Sequence, residues 1–559
     1  MQPFMDQDVV LSLNLSQGSS AVLFVGGELV AAVEEERLNR IKLTRKFPEK
    51  SVLDVLSLAA VEPKDVCRVL VASRITPNWI SMRFLQEYHE KEAYNCFSRL
   101  LYCVVAEQFT MRQTGLIHLE GGLVKSFVAD RLKELGIRAP ITMYDHHLSH
   151  CYSAYSTAPF DHSLALSMDA MGDGISCMVA LGDAGQLRQV DEMSGFRTPA
   201  FIYSQVTQLL GFTPTKHEGK LTGLAALGDP GKTESIMRKL MWLDGDRFGI
   251  ATTSNKGHPV YVELMKHTPQ DIAAGLQYVF EDIIVQFARQ CLRKYKRRNI
   301  VLAGGVFANV KLNQRIHGIP EVDNIFVFPN MGDGGLPCGA GFAYYKRKPR
   351  PLENVYLGRS YDDAYCEKAL INSGLSYRRP ADIEMNVANM LAHGKVVARH
   401  SGRMEYGPRA LGNRSILYQA SDPSVNAWLN KHLKRTEFMP FAPSTIAEHA
   451  GDYYKNVEGA CETAKYMTIT FDCTAKCKEK QPACVHVDNT ARPQLVDARS
   501  NPSYYRILKN YYDLTGVPTI LNTSFNVHEE PIVSTPEDAI KSYRQCKFDA
   551  LALGPFLVD

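Results

Sequence analysis

The sequence predicts an α/β protein of more than one domain, with a duplicated first half. Three observations carry this. A chain of 559 residues is too long for a single hydrophobic core. VVLSLNLSQGSSAVLFVGGELVAAVEEERL reads as strand, polar turn, strand, Gly-Gly turn, strand, and the same grammar returns at LALSMDAMGDGISCMVALGDAGQLRQV. Apolar strands then run into glycine loops at NIVLAGGVFAN and NIFVFPNMGDGG, more often than turn chemistry alone explains.

Composition narrows the class. With 45% hydrophobic and 22% charged residues the chain is ordinary globular material. Its 63 basic and 60 acidic residues leave a formal charge of +3, so no global field argues for nucleic acid. The thirteen cysteines form no disulfide-like framework. No apolar run reaches membrane-helix length, and MQPFMDQD does not look like a secretory leader. A cytoplasmic protein without a membrane partner is expected.

Taken in order, the repeated hairpins suggest two related halves around one cleft, as in actin-like nucleotide-binding folds. Arg37, Arg40, Lys42, Arg45 and Lys46 form a basic cluster, a solvated face of which one or two members could reach a phosphate. Residues 76–140 read as mostly helical, with Trp79, Phe84, Tyr88 and Phe97 as core or as the wall of an acceptor pocket. DHHLSHCYSAY, from Asp145 to Tyr155, reads as a helix that puts His146 and His150 on one face at metal-sharing distance. A histidine pair at this spacing is weak evidence alone. Asp169, at the end of an apolar strand, and Asp333, in NMGDGG, strengthen it.

HEGKLTGLAALGD places Glu218, Gly219 and Lys220 at a helix start that suits an anion. In NIVLAGGVFANVKLNQRI, Gly304 and Gly305 let the backbone approach a ligand, and Asn309 and Asn313 follow one turn apart. KRKPRPLENVYLG, at 346–358, breaks the periodicity and marks a boundary, so domains are expected at 1–349 and 355–559. Beyond it, Arg403, Arg409 and Arg414 crowd one loop and need an anion among them. Lys434, Arg435 and Arg492 add charge, and TGVPTILNTSFNV ends a strand with Asn522, Thr523, Ser524 and Asn526. Thr535-Pro536-Glu537-Asp538 opens a helix and reads as structural. Cys473, Cys477, Cys484 and His486 depart from zinc-knuckle spacing and read as incidental thiols in a mobile flap.

Together the DHHLSH helix, MDAMGDG, EGKLTGLA, LAGGVFANVKLN, MGDGG, GRMEYGPRALGNRS, PFAPS, HVDNTAR and LNTSFNV resemble the O-carbamoyltransferases of the nodulation and antibiotic-tailoring family, in order and across nearly the whole chain. The resemblance implies an actin-like first domain similar to threonylcarbamoyl transferases, and an α/β second domain of the YrdC-like, carbamoyl-adenylate-forming kind. It makes His146, His150, Asp169 and Asp333 the metal ligands, with Fe²⁺ the usual ion; Mn²⁺ or Zn²⁺ suits the same donors. Lys220, Gly304, Gly305, Asn309 and Asn313 would surround a nucleotide. Arg409, Lys434, Arg492, Asn522 and Ser524 would hold carbamoyl phosphate and ATP with its Mg²⁺, helped by Lys42 reaching across from the first domain. His146, His150, Arg409 and Lys434 would then carry the catalysis.

The implied chemistry is ATP-dependent formation of a carbamoyl adenylate, followed by transfer to a small-molecule hydroxyl. Two positions depart from the family pattern. Gln17 and Gly18 stand where a His-Asp pair is usual, and an amide cannot act as a base. Met439 stands near PFAPS where an arginine is frequent. A competing reading keeps the fold and makes tRNA the acceptor, as in threonylcarbamoyl modification; the near-neutral charge argues against it.

Overall fold

The computed structural model describes residues 8–75, 96, 99–251, 255–433 and 441–559. Trp79, Phe84, Tyr88, Phe97, Lys434, Arg435 and Met439, singled out above, lie outside them. The chain separates into two compact units, one of Met1–Val30 and Leu43–Pro351, the other of Ala31–Lys42 and Leu352–Asp559. Lys42 is therefore part of the second unit.

The first unit holds two sheets of the same topology, apart from residues 31–34 at the end of one edge strand, which belong to the second unit. Strands β1 (Val9–Asn14), β2 (Ser20–Val25), β3 (Glu28–Glu34), β4 (Arg68–Val71) and β5 (Ile141–Met143) lie in the order β3-β2-β1-β4-β5. All six residues of both β1 and β2 are buried, which is why these strands read as continuous apolar runs rather than as an alternation. They pair antiparallel with Val9 opposite Val25, whereas β1 and β4 run parallel.

The second copy is β6 (Ser163–Gly172), β7 (Ile175–Asp183) and β8 (Gln186–Ser194). After a separate hairpin of β9 (Met241–Asp244) and β10 (Arg247–Ile250), it continues with β11 (Asn299–Ala303) and β12 (Asn324–Val327). The order β12-β11-β6-β7-β8 is the first sheet's order in the second copy's numbering, again with an antiparallel hairpin and parallel outer strands. This repetition is the duplicated actin-like architecture that the hairpin grammar predicted. The helix Pro269–Tyr295, capped by the Thr268 hydroxyl, is the longest among the described residues of the unit.

The second unit is built on seven strands: β13 (Val397–His400), β14 (Arg414–Gln419), β15 (Ala442–Ile446), β18 (Gln494–Val496), β19 (Thr519–Ser524), β20 (Ala550–Leu553) and β21 (Phe556–Val558). They run in the order β18-β15-β19-β14-β13-β20-β21, mixed parallel and antiparallel. A two-stranded ribbon of β16 (Phe471–Asp472) and β17 (Thr490–Ala491) lies apart from it in the sheet order. Two apolar clusters form this unit's interior, one around Leu370, Leu429 and Leu553, the other around Val387, Leu417 and Tyr504. The helix Pro536–Cys546 begins as expected, with Thr535 and Asp538 exchanging hydrogen bonds in a capping box. Among the described residues no helix is long and apolar enough to cross a membrane.

Candidate metal centre

The helix His146–Tyr155 starts where Asp145 accepts a hydrogen bond from the Leu148 N–H, a side-chain cap that fixes the first turn. His146 and His150, one turn apart, are both buried and their rings lie edge to face. Asp169 comes from β6, and Asp333 opens a short helical turn after β12. His150 Nε2 lies 3.5 Å from Asp169 Oδ2 and 3.6 Å from Asp333 Oδ1, and His146 Nε2 lies 3.6 Å from the same Asp333 oxygen.

One donor atom from each of the four residues falls within 4.8 Å of all the others, the one such group found among the described residues. Atoms held about 2.1 Å from a single ion in an octahedral or tetrahedral shell lie roughly 3.0–3.4 Å apart, close to the separations here. The Nε2 atoms of both histidines are buried and make no hydrogen bond, an expensive arrangement unless something else takes their lone pairs. Two imidazoles with orphaned Nε2 atoms, together with two carboxylates, fit a divalent cation.

The two carboxylates draw positive charge to this place. Burial resists charge on His150, but its contacts with Asp169 and Asp333 carry its pKa up to about 8. Burial likewise resists charge on Asp333, yet the two histidines and the Ser16 hydroxyl hold it well below the ordinary carboxylate range. His147, between His146 and His150 in sequence, does something different. Its Nε2–H donates to the Ile175 carbonyl at 3.0 Å and its Nδ1 faces the Ser167 hydroxyl at 2.8 Å; burial drives its pKa down to about 3, so it stays neutral and structural.

Second contacts hold the carboxylates in place. Ser16 donates to Asp333 Oδ2 at 2.6 Å, and the Gly305 N–H donates to Asp169 Oδ2 at 3.1 Å. Gly304, at φ +106°, sits where a Cβ would lie 2.1 Å from the Met168 carbonyl oxygen, so this close approach needs glycine. Gln17 is engaged at both ends: its amide donates to the Thr215 carbonyl and accepts from Arg45, each at 3.0 Å. Sequence reasoning did not single out Ser16, although it lies in the polar first turn beside Gln17.

The amides expected to face a nucleotide are held by the protein in this conformation. Asn309 caps the helix Val310–His317 and exchanges two hydrogen bonds with Gln277. Asn313 is fully buried and donates to the Phe307 carbonyl at 2.7 Å. Lys220 is buried in the first turn of the helix Glu218–Ala225.

In the second unit Arg409 lies on the loop between β13 and β14, Asn522 and Ser524 on β19, and Arg492 just after β17. The three loop arginines do not act alike. Arg403 donates to the Leu357 and Gly358 carbonyls, and the buried Arg414 donates to the carbonyls of Arg359, Ser401, Gly402 and Asn413. Both clamp backbone carbonyls; the buried Arg414 must satisfy its donors, and the nearest acceptors are peptide oxygens. Asn522 donates towards the Ala410 carbonyl, Ser444 and Gln494. Cys473, Cys477 and Cys484 are buried and do not join His486 in a metal-binding group among the described residues.

Comparison with known proteins agrees with this layout. A family profile described as "Carbamoyltransferase N-terminus" matches residues 11–342, and one described as "Carbamoyltransferase C-terminus" matches residues 388–559. The nodulation protein NolNO of Sinorhizobium fredii is 30% identical over 96% of this chain and 78% of its own length. The nodulation protein NolO of Bradyrhizobium diazoefficiens is 32% identical over 74% of this chain and 78% of its own. An uncharacterized protein of Methanocaldococcus jannaschii is 30% identical over 99% of both. Among solved structures, full-length HypF in its phosphate- and nucleotide-bound form overlays 61% of this chain and 56% of its own at TM-score 0.36 and 13% identity, too loosely to bear on the chemistry.

Proposed function

The chain belongs to the carbamoyltransferase family, and from that premise we propose that it is an ATP-dependent O-carbamoyltransferase acting on a hydroxyl of a small-molecule natural product or saccharide. Carbamoyl phosphate, water and ATP become carbamoyl adenylate, phosphate and pyrophosphate. The hydroxyl oxygen then attacks the carbamoyl carbon and AMP leaves. The observation that carries the reading is the four-donor cage of His146, His150, Asp169 and Asp333 within a chain whose two halves match the two carbamoyltransferase profiles.

Those four residues would hold a divalent cation, Fe²⁺ by preference with Mn²⁺ or Zn²⁺ compatible, and when bound it supplies Lewis acidity at that place. Ser16 and Gly305 keep the carboxylates aimed inward. Gln17 cannot take the acceptor's proton, because an amide is no base at neutral pH and both its ends are already engaged. Lys220, Gly304, Gly305, Asn309 and Asn313 line the nucleotide side of the first unit, the two asparagines exchanging their present partners for ligand atoms. In the second unit Lys42, Arg409, Lys434, Arg492, Asn522 and Ser524 bind carbamoyl phosphate and ATP with Mg²⁺, cationic groups offsetting charge that builds on the departing phosphates. Cytoplasmic residence fits the scattered thiols, none of which is paired among the described residues.

The test is direct. Purified protein is incubated with carbamoyl phosphate, ATP and a panel of hydroxylated metabolites, and products are read by mass for the gain of one carbamoyl group. Transfer that depends on both His150 and Arg409 is the expected outcome. Labelled carbamoyl phosphate entering tRNA instead, or ATP turnover that ignores both residues, would overturn the reading.

A further inference from the structure

Ser73, Gly172 and Asp173 surround His146 in a way that the cage alone does not require. The Ser73 hydroxyl lies 3.0 Å from His146 Nδ1, on the side of the ring away from the carboxylates. The Asp173 carboxylate is buried and accepts four backbone contacts: from the Ile75 N–H at 2.8 Å, from the Arg74 N–H at 3.0 Å to each oxygen, and from the His146 N–H at 2.8 Å. One side chain thus staples the Ser73–Ile75 turn to the first residue of the metal-bearing helix. Asp173 does this at φ +50°, a left-handed backbone that few residues other than glycine adopt. Beside it, Gly172 leaves the room that the His146 ring fills.

A cation can bind His146 Nε2 only if the ring's proton sits on Nδ1, where it needs an acceptor. Ser73 Oγ is that acceptor. A hydroxyl also donates, so the same contact serves the opposite tautomer when Nε2 carries the proton. We propose that Ser73, held in register by Asp173, is a positioning residue that aims the His146 ring for cation binding and accepts the Nδ1 proton of the cation-binding tautomer. This rests on the metal-centre reading and adds a partner to it: Ser73 touches neither cation nor substrate.

The experiment uses the full chain and Mn²⁺ as probe, with unbound ion counted by paramagnetic resonance. Loss of such an outer partner weakens metal binding about 10- to 100-fold, so Ser73→Ala should bind Mn²⁺ at least about tenfold more weakly than the parent at an unchanged melting midpoint. Ser73→Thr keeps the hydroxyl and should return the affinity to within about threefold of the parent. Asp173→Asn turns an amide donor towards one of the N–H groups and should weaken binding by a similar factor. The clamp is refuted if Ser73→Ala binds as tightly as a parent that does bind, or if Ser73→Thr stays as weak as Ser73→Ala. A parent that binds no Mn²⁺ or Fe²⁺ would remove the metal centre itself, and the clamp with it.

Discussion

Gly172→Ala gives the sharpest steric test of the metal centre. A Cβ built on Gly172 would sit 2.2 Å from His146 Cδ2 and 2.3 Å from Cγ, whereas carbon atoms settle about 3.5–4.0 Å apart. The ring or the turn must therefore yield by about 1.3 Å or more. Neither moves easily, since the Asp173 carboxylate fixes the helix start and the Ser73 hydroxyl closes the ring's other edge. A metal–ligand bond tolerates about 0.2 Å, so His146 leaves the cage and three donors remain. Losing a ligand should cost more than losing its outer partner, hence more than about 100-fold in Mn²⁺ affinity, with about 1–3 kcal/mol of stability lost to overpacking. Gly172 is not in the left-handed region, so alanine adds no backbone penalty and the effect reports contact alone. Equilibrium Mn²⁺ binding and thermal unfolding of the same preparation separate the two losses. Affinity within threefold of the parent would show that His146 is not held where these distances put it.

Chelation followed by restoring Mg²⁺ alone should abolish carbamoyl transfer while leaving carbamoyl-phosphate-dependent exchange of pyrophosphate into ATP intact; transfer surviving chelation would count against the cage. Arg409→Lys removes a planar fork that can take two phosphate oxygens, and kcat/KM for carbamoyl phosphate or ATP should fall about tenfold or more in steady-state assays. His400 is buried, its Nε2–H donating to the Ser534 carbonyl at 3.0 Å, and burial together with Arg414 holds its pKa well below the ordinary value. The unfolded chain then takes up a proton that the folded chain refuses, so this contribution is complete above about pH 6.5 and is lost as pH falls below it. Denaturant titrations from pH 7 to 5 should show a shallower loss in His400→Gln than in the parent. Thr535→Ala opens a capping box and should cost about 1 kcal/mol in the same titrations.

What was legible in the sequence follows from the range of the interactions involved. The hairpins of both first-unit sheets were readable because β-branched runs and glycine turns act within about thirty residues. The histidine pair was readable because a helix turn brings His146 and His150 together whatever surrounds them. Ser16, Ser73 and Asp173 were not: Ser16 meets Asp333 across 317 positions, and Ser73 meets His146 across 73. No local pattern marks a serine for such a partner. Asn309 and Asn313 show the converse. An asparagine after a glycine turn reads equally as a ligand amide or as a helix cap, and in this conformation Asn309 is doing the second.

The arginine loop shows how an electrostatic demand read from sequence can be met in part within the chain itself. Guanidiniums crowded between β13 and β14 do need a negative partner, and Glu405, in the same loop, supplies one. Its Oε1 accepts the backbone N–H groups of Leu411, Asn413 and Arg414 at 2.8, 2.8 and 3.1 Å. Three amides converging on one oxygen form the kind of nest that elsewhere receives a phosphate, but here the chain fills it itself. The buried Arg37 adds to this, pairing with Glu34 and Glu36 and donating to the Gly407 carbonyl at 2.7 Å, two residues before Arg409. With Arg403 and Arg414 committed to peptide oxygens, charge crowding alone no longer calls for an outside anion. The case for phosphate on this loop narrows to Arg409, flanked by Gly407, held by Arg37, and by Leu411, held by Glu405.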